Sequence, residues 1–200
     1  MLTKRLSLLL MLAGVLSAGQ VHAAADPGAG KIEAFDAALL DSMKSGPGAG
    51  TAERYRRLAP VVERTFNLPV MTQFAVGPAW SGFTPAQQQA AIAAFTKLTV
   101  ASYAHNFNAF GGEKFEVDPN VITRGPDKIV NTHLIRPHDA PVALSYRMRA
   151  AGDSWKVIDI YYGAISQLTT RRSDFAGSIA SGGAPALIAH LTSLSDKLMN

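Results

Sequence analysis

Apolar positions recur at helical spacing through the first half of the chain and switch to alternation in the second half. From Ile32 to Met43, Ile32, Phe35, Leu39 and Met43 share one helical face, and Ser45 to Thr51 is a glycine-rich break. Glu53 to Phe66 repeats the pattern with Tyr55, Leu58, Val61 or Val62, and Phe66; Pro60 lies inside this span, where a ring without an N–H permits a kink. Leu68-Pro69 opens a short third helix carrying Met71 and Phe74, which Gly77-Pro78 ends. Thr84-Pro85-Ala86-Gln87 has the form of a helix start: a hydroxyl cap, proline at the first position and glutamine three residues after the cap. This predicts a long helix to about Phe110, striped by Ile92, Phe95, Leu98 or Thr99, Tyr103, Phe107 and Phe110, and stopped by Gly111-Gly112.

The period becomes two from Lys114. Phe115 and Val117 begin a strand, Gly125-Pro126-Asp127 turns it, and Lys128 to Arg136 forms the next. After a turn-rich Pro137 to Pro141, Val142, Leu144, Tyr146 and Met148 alternate with Ala143, Ser145, Arg147 and Arg149, giving one dry and one wet face. Gly152-Asp153 makes a hairpin turn, and Trp155 to Tyr162 returns as a fourth strand. Helices over about Ile165 to Ser178 and Ala184 to Met199 close the sequence. The expected fold class is α+β: a four-stranded, mostly antiparallel curved sheet with helices packed on one face. Periodicity leaves open whether the apolar side chains fill the interior or border a pocket.

The N-terminus changes the picture of where the chain works. Lys4 and Arg5 precede an apolar run from Leu6 to Leu16, and Val21-His22-Ala23 offers a small-x-small cleavage site. This is the pattern of a secretory signal peptide over residues 1–23, and the run is too short for a bilayer, which takes about 20 apolar residues. The expectation is a periplasmic protein whose mature part, 24–200, forms one domain. With no cysteine, that domain depends on its core. Without Lys4 and Arg5, nineteen basic residues become seventeen against fifteen acidic, a net charge of +2 that gives no argument for nucleic acid. The sequence has no HExxH, GxGxxG, Walker loop or GxSxG elbow.

Several short motifs in order resemble one family. They are Phe66-Asn67-Leu68-Pro69-Val70-Met71, Val76-Gly77-Pro78-Ala79-Trp80, Thr84-Pro85-Ala86-Gln87, Ala94-Phe95 leading into Tyr103-Ala104-His105-Asn106-Phe107, and Gly111-Gly112-Glu113-Lys114-Phe115. Gly152-Asp153-Ser154-Trp155-Lys156-Val157-Ile158-Asp159, Gly163-Ala164-Ile165-Ser166, Arg171-Arg172-Ser173-Asp174-Phe175 and Gly182 to Leu191 follow. The chain thereby resembles the MlaC, or toluene-tolerance, family. Val76 to Trp80 and Thr99-Val100-Ala101-Ser102-Tyr103-Ala104 make it most similar to the hopanoid-associated HpnM branch. The resemblance implies an NTF2-like cone around an apolar cavity, and a monomeric periplasmic lipid carrier within an ABC-type transport system. Such a carrier takes phospholipid between an inner-membrane complex and an outer-membrane complex, and the HpnM branch adds hopanoids as cargo.

Under that implication the lining residues expected from the helices are Phe35, Met43, Phe66, Met71, Phe74, Phe95, Leu98 and Tyr103. The sheet adds Val142, Leu144, Tyr146, Met148 and Val157. Trp80 either lines the cavity or wedges its loop in place, and Trp155 is read as packing. No catalytic residue, metal or cofactor is expected. The competing reading is a small-molecule isomerase or dehydratase that uses Asp159, beside Tyr161 and Tyr162, as general base; as a structural acceptor the same Asp159 has no such role. His105 has no partner at ligand spacing, and Arg171-Arg172 could meet a lipid phosphate or an acidic partner, or simply face solvent. The export reading is checked by N-terminal sequencing of the protein recovered from the periplasm: a start near Ala24 is expected, and an intact Met1 would refute it.

Overall fold

Asp26 caps the first helix, its carboxylate accepting from the amides of Gly28 at 2.7 Å and Ala29 at 3.4 Å, with Pro27 at the first position. The computed structural model describes residues 26–200, so the signal segment read over 1–23 lies outside the described residues. Helix α1 (Pro27–Lys44) therefore starts more than a turn before the first apolar-periodic residue. Its inward stripe is the expected Ile32, Phe35, Leu39 and Met43, with Asp36 and Ser42 buried among them. Helix α2 (Gly50–Thr65) runs without interruption through Pro60. Its Arg54 is buried, donating from Nε to the Ala104 carbonyl at 2.8 Å and from Nη1 to the Gly46 carbonyl at 3.3 Å.

Helix α3 (Leu68–Val76) is capped by Asn67, and a 3-10 turn, Gly77–Gly82, leads to α4 (Pro85–Asn106). The predicted capping box is present: the Gln87 amide donates to Thr84 Oγ1 at 3.2 Å, and the Thr84 amide donates to Gln87 Oε1 at 2.9 Å. Helix α4 ends at Asn106, one turn earlier than the apolar stripe suggests, because Phe107 leaves helical geometry and turns toward the sheet. Ala91, Ala94, Ala101 and Ala104 are buried on α4, small enough to let α2 and α5 pack closely on this central helix.

The sheet has six strands rather than four: β1 (Lys114–Val117), β2 (Ile122–Arg124), β3 (Asp127–Arg136), β4 (Asp139–Ala151), β5 (Ser154–Tyr162) and β6 (Ile165–Ser166). All pairings are antiparallel, in the order β1-β3-β4-β5-β6, with β2 also on β3. Two causes account for the extra strands. The expected first strand is broken at Asp118-Pro119-Asn120, where Asp118 Oδ1 accepts from the Asn120 amide at 2.8 Å and Pro119 has no ladder N–H to give, so its halves pair with opposite ends of β3. At the other edge, Tyr161 and Tyr162 pair with Ser166 and Ile165 before helix α5 (Gln167–Met199) begins. That helix is two segments joined at Gly182 and Gly183, whose backbones are not helical, close to the division expected from the sequence.

The strands give the molecule a closed end and an open end. At the closed end Asp127, almost fully buried, takes Arg149 Nε at 2.6 Å and Arg147 Nε at 2.7 Å. These arginines, led by Arg149, outweigh burial and hold its carboxyl below the usual range. Lys128 joins Asp26 at 2.5 Å and lies 4.4 Å from the Trp155 ring centroid, fastening the start of α1 to the sheet. At the open end β3 finishes at Arg136, β4 starts at Asp139, and β5 finishes at Tyr162. Among the described residues, no helix is long and apolar enough to cross a membrane.

Asp159 fastens α5 to the open end. A register shift between Arg147 and Met148 admits one extra residue into β5, so Val157 faces inward while Asp159 faces out opposite Arg147. The Asp159 carboxylate accepts from Ser166 Oγ at 2.7 Å and from the amides of Leu168 at 3.1 Å and Ile160 at 2.8 Å. Ser166 in turn caps α5 by accepting from the Thr169 amide at 3.0 Å. Asp159→Asn is expected to lower stability by roughly 1–3 kcal/mol, the value of a hydrogen bond lost to a charged acceptor. Urea unfolding of the variant beside wild type measures it.

Candidate functional site

The inward parity of the sheet and the stripes of α3, α4 and α5 leave a cavity of about 430 Å³. Its lower wall is Phe66, Met71, Phe95, Leu98, Tyr103 and Tyr146; its middle is Leu144, Ile160, Leu134, Val142, Thr99, Ser102 and Leu168. Asn106, Phe107, Arg136, Tyr162, Gln167 and Arg171 complete the wall from the ends of their elements. Exposure rises along this axis: Tyr146 is 2% exposed, Leu144 and Val142 are intermediate, and Tyr162 reaches 55%. The site is thus an apolar well with a polar, basic rim. Among its lining residues none is acidic. Its size falls in the range of small-molecule pockets, about 300–1,000 Å³. A second depression between α2, α3 and α4 is a more open groove edged by Glu63, Lys97 and Lys156.

The floor is aromatic. The Phe35 ring stands edge-on to Phe66 at 5.1 Å, Tyr103 at 5.2 Å and Tyr146 at 6.2 Å between centroids. Tyr103 continues to Phe107 at 5.8 Å, and Phe107 stacks on Phe115 at 6.3 Å, carrying one aromatic wall from floor to rim.

Of the expected lining residues, the fold brings Phe66, Met71, Phe95, Leu98, Tyr103, Val142, Leu144 and Tyr146 to the cavity. The other six lie elsewhere. Phe35 is wholly buried behind the floor. Met43 is buried on α1 beyond the well. Phe74 is 49% exposed on α3, since its neighbours Met71 and Ala75 take the inward side. Trp80 packs on Phe83 at 6.1 Å, and its carbonyl accepts from Gln88 Nε2 at 3.1 Å, so it wedges the loop before α4. Met148 and Val157 are fully buried at the closed end, past the aromatic floor, where Val157 pairs with Phe66. Leu134 and Ile160 follow from strand parity once the register is known. Arg136 gave no sequence signal. Asp159 is not in the wall, and its oxygens are committed to the start of α5.

One buried acid sits behind the floor. Asp36 is 2% exposed, and among the described residues neither of its oxygens meets a hydrogen-bond donor. Burial first, and the charge of Glu33 second, push its carboxyl up to about 8. Burial also pushes the Tyr103 and Tyr146 hydroxyls up, and the nearby Asp36 charge adds to both. Both tyrosines are therefore neutral at physiological pH.

The sequence profile of the MlaC protein family matches residues 33–193. No curated protein matches the chain significantly. Among solved structures, it is similar to a phospholipid-binding protein from Ralstonia solanacearum in complex with a phospholipid. The two share 23% identity and a TM-score of 0.76, over 88% of this chain and 100% of the other.

Asp36 generates a pH dependence opposite to that of ordinary carboxylates. The folded chain keeps a proton up to about pH 8 that the unfolded chain releases near 3.8, so stability from this group falls as pH rises through that window. Melting curves of wild type are expected to shift downward from pH 5 to pH 8. Asp36→Asn is expected to flatten this decline and to be the more stable protein at pH 8, on the order of a few kcal/mol, because one pKa unit corresponds to about 1.4 kcal/mol. An unchanged decline in the variant would refute the assignment.

The α+β fold, the curved antiparallel sheet and the family match over most of its length agree: this chain belongs to the MlaC family.

Proposed function

We propose that this protein is a periplasmic lipid carrier that buries the acyl chains of a lipid, or a hopanoid skeleton, in the well and leaves the polar end at its rim. The observation that carries this reading is the gradient of the cavity wall, from a buried aromatic floor to exposed polar ends, with no acid in it. Each methylene moved from water into such a wall gains roughly 0.8 kcal/mol, which makes unaided passage of a two-tailed lipid through water slow and a dry well effective. The phospholipid bound to the Ralstonia relative supports the same choice of cargo.

The remaining features of the proposal follow from the family and from the N-terminal sequence. The protein is exported, and it works as a monomeric NTF2-like cone. It exchanges cargo with an inner-membrane ABC-type complex and an outer-membrane complex. Assignment to the hopanoid-associated HpnM branch belongs to the proposal as well. An isomerase or dehydratase acting through Asp159 is not favoured, because the acid points away from the well and is held by Ser166 and Leu168.

Leu144 and Ala143 provide the test. Leu144 lines the well, while Ala143 is exposed on the opposite face of the same strand. A charge at 144 would face lipid tails, an unpaired burial that costs several kcal/mol; in the empty protein, water entering from the rim would relieve it. Leu144→Glu is expected to fold and to lose co-purifying lipid, whereas Ala143→Glu keeps it. Arg149→Glu is unsuitable as control, because it would set a second carboxylate against Asp127. Circular dichroism melts beside mass spectrometry of extracted lipid read both properties. A lipid-free, well-folded wild type from its own periplasm would overturn the carrier reading.

A further inference from the structure

Asp36 belongs to the wedge on which the floor of the well is built. Its neighbour Phe35 stands edge-on to Tyr103 at 5.2 Å and to Tyr146 at 6.2 Å, and both tyrosines also line the well. The Asp36 carboxyl is 2% exposed, and among the described residues neither oxygen meets a donor. The titratable groups that reach it are Glu33 on its own helix, Tyr103 on α4 and Tyr146 on β4. Among the described residues no cation offsets its burial. On the elements packed against α1, Arg54 of α2 is engaged by the Ala104 and Gly46 carbonyls, Lys128 and Arg136 of β3 by Asp26 and Asp139, and Lys156 of β5 by the Glu63 carbonyl. The other cations of these elements are exposed.

A charge on this carboxyl therefore needs donors from outside the cluster. The well is where they can come from. Water entering the empty well from the rim comes up against Tyr103 and Tyr146, the two rings next to Asp36, and a small displacement of the floor lets it through. Hydrocarbon in the well removes that water. The charged form is then left with nothing to solvate it, while the protonated form loses nothing. A ligand that binds one protonation state in preference to the other shifts the equilibrium between them, and the effect is reciprocal.

We propose that hydrocarbon in the well and a negative charge on Asp36 exclude one another, so that the folded protein loads lipid while this carboxyl is protonated and releases it when the proton leaves. The coupling rests on the carrier reading above and adds to it a proton as the regulator of the well. Its sign is fixed: affinity for lipid is constant while Asp36 is protonated and falls as pH rises through about 8.

The test follows uptake of dioleoyl phosphatidylcholine, whose net charge is constant from about pH 6 to pH 9, from unilamellar vesicles into the delipidated protein. Vesicles are removed by centrifugation, and bound lipid is counted by mass spectrometry of the extract. At pH 9 the empty protein is ionised about ten to one, so the ratio of bound to free lipid is expected to fall about tenfold from its value at pH 6. Asp36→Asn is expected to keep the pH 6 level at both. A measurement on wild type alone stands beside the variant: in weakly buffered solution at pH 9, loading is expected to take up about one proton per lipid, and at pH 6 none. Uptake by wild type that does not change with pH would overturn the proposal and leave the carrier reading standing. A decline that persists in Asp36→Asn, or loading at pH 9 without proton uptake, would also overturn it. So would loss of lipid at pH 9 together with the circular dichroism of the folded state, because the coupling acts within the folded protein. If wild type took up no lipid at pH 6, the carrier reading itself would fall, and the coupling with it.

Discussion

The arrangement of the molecule depends on how four aromatic rings meet at the bottom of the well. Phe35 from α1 is wedged edge-on between Phe66 at the end of α2, Tyr103 on α4 and Tyr146 on β4. Burying each such ring is worth roughly 1.5–3 kcal/mol, and each edge-on pair adds about 0.5–1.5 kcal/mol. The cluster therefore fixes three helices and the sheet to one point. Because it is solid, it also divides the interior. Below it Met148, Val157, Ile32 and Val130 fill a conventional core; above it the same sheet face and helix stripes are not brought together.

What keeps the upper part open is the difference between the two ends of the sheet. At the closed end the chain is tied across by Lys128 with Asp26 and by Asp127 with its two arginines. At the open end the strands finish in Arg136 and Tyr162, and α5 is held by its first turn, through Asp159 and Ser166, to the outside of β5. Helix α5 then runs alongside the well instead of capping it, with Phe175 meeting Phe95 at 5.9 Å. An acid in a position that invites a catalytic reading is here a fastening for the wall.

Asp36 works against stability at neutral pH. A buried carboxyl without donors is costly in its charged form. Its place behind Phe35, next to the two tyrosines of the floor, puts this cost at the point where all the elements converge. The structure gives no hydrogen-bonding reason for an acid there.

The sequence by itself determined the local elements. Helix starts were legible because caps and first-turn prolines are local chemistry: Thr84 with Gln87, and Leu68-Pro69, need only neighbouring residues. The dry face of β4 was legible because pleating alternates side chains. Eight lining residues followed from those two periodicities and a family resemblance. Tertiary structure decided the rest. Periodicity says that Phe35, Met148 and Val157 face inward, but depth along the axis separates the filled core from the well, and depth is set by register and by the bulge in β5. The break at Pro119 and the late strand at Ile165 made six strands from four, through pairing partners far along the chain. Arg136 and Arg171, thirty-five positions apart, come to the wall of one cavity only through the tertiary fold, a juxtaposition that no local pattern encodes.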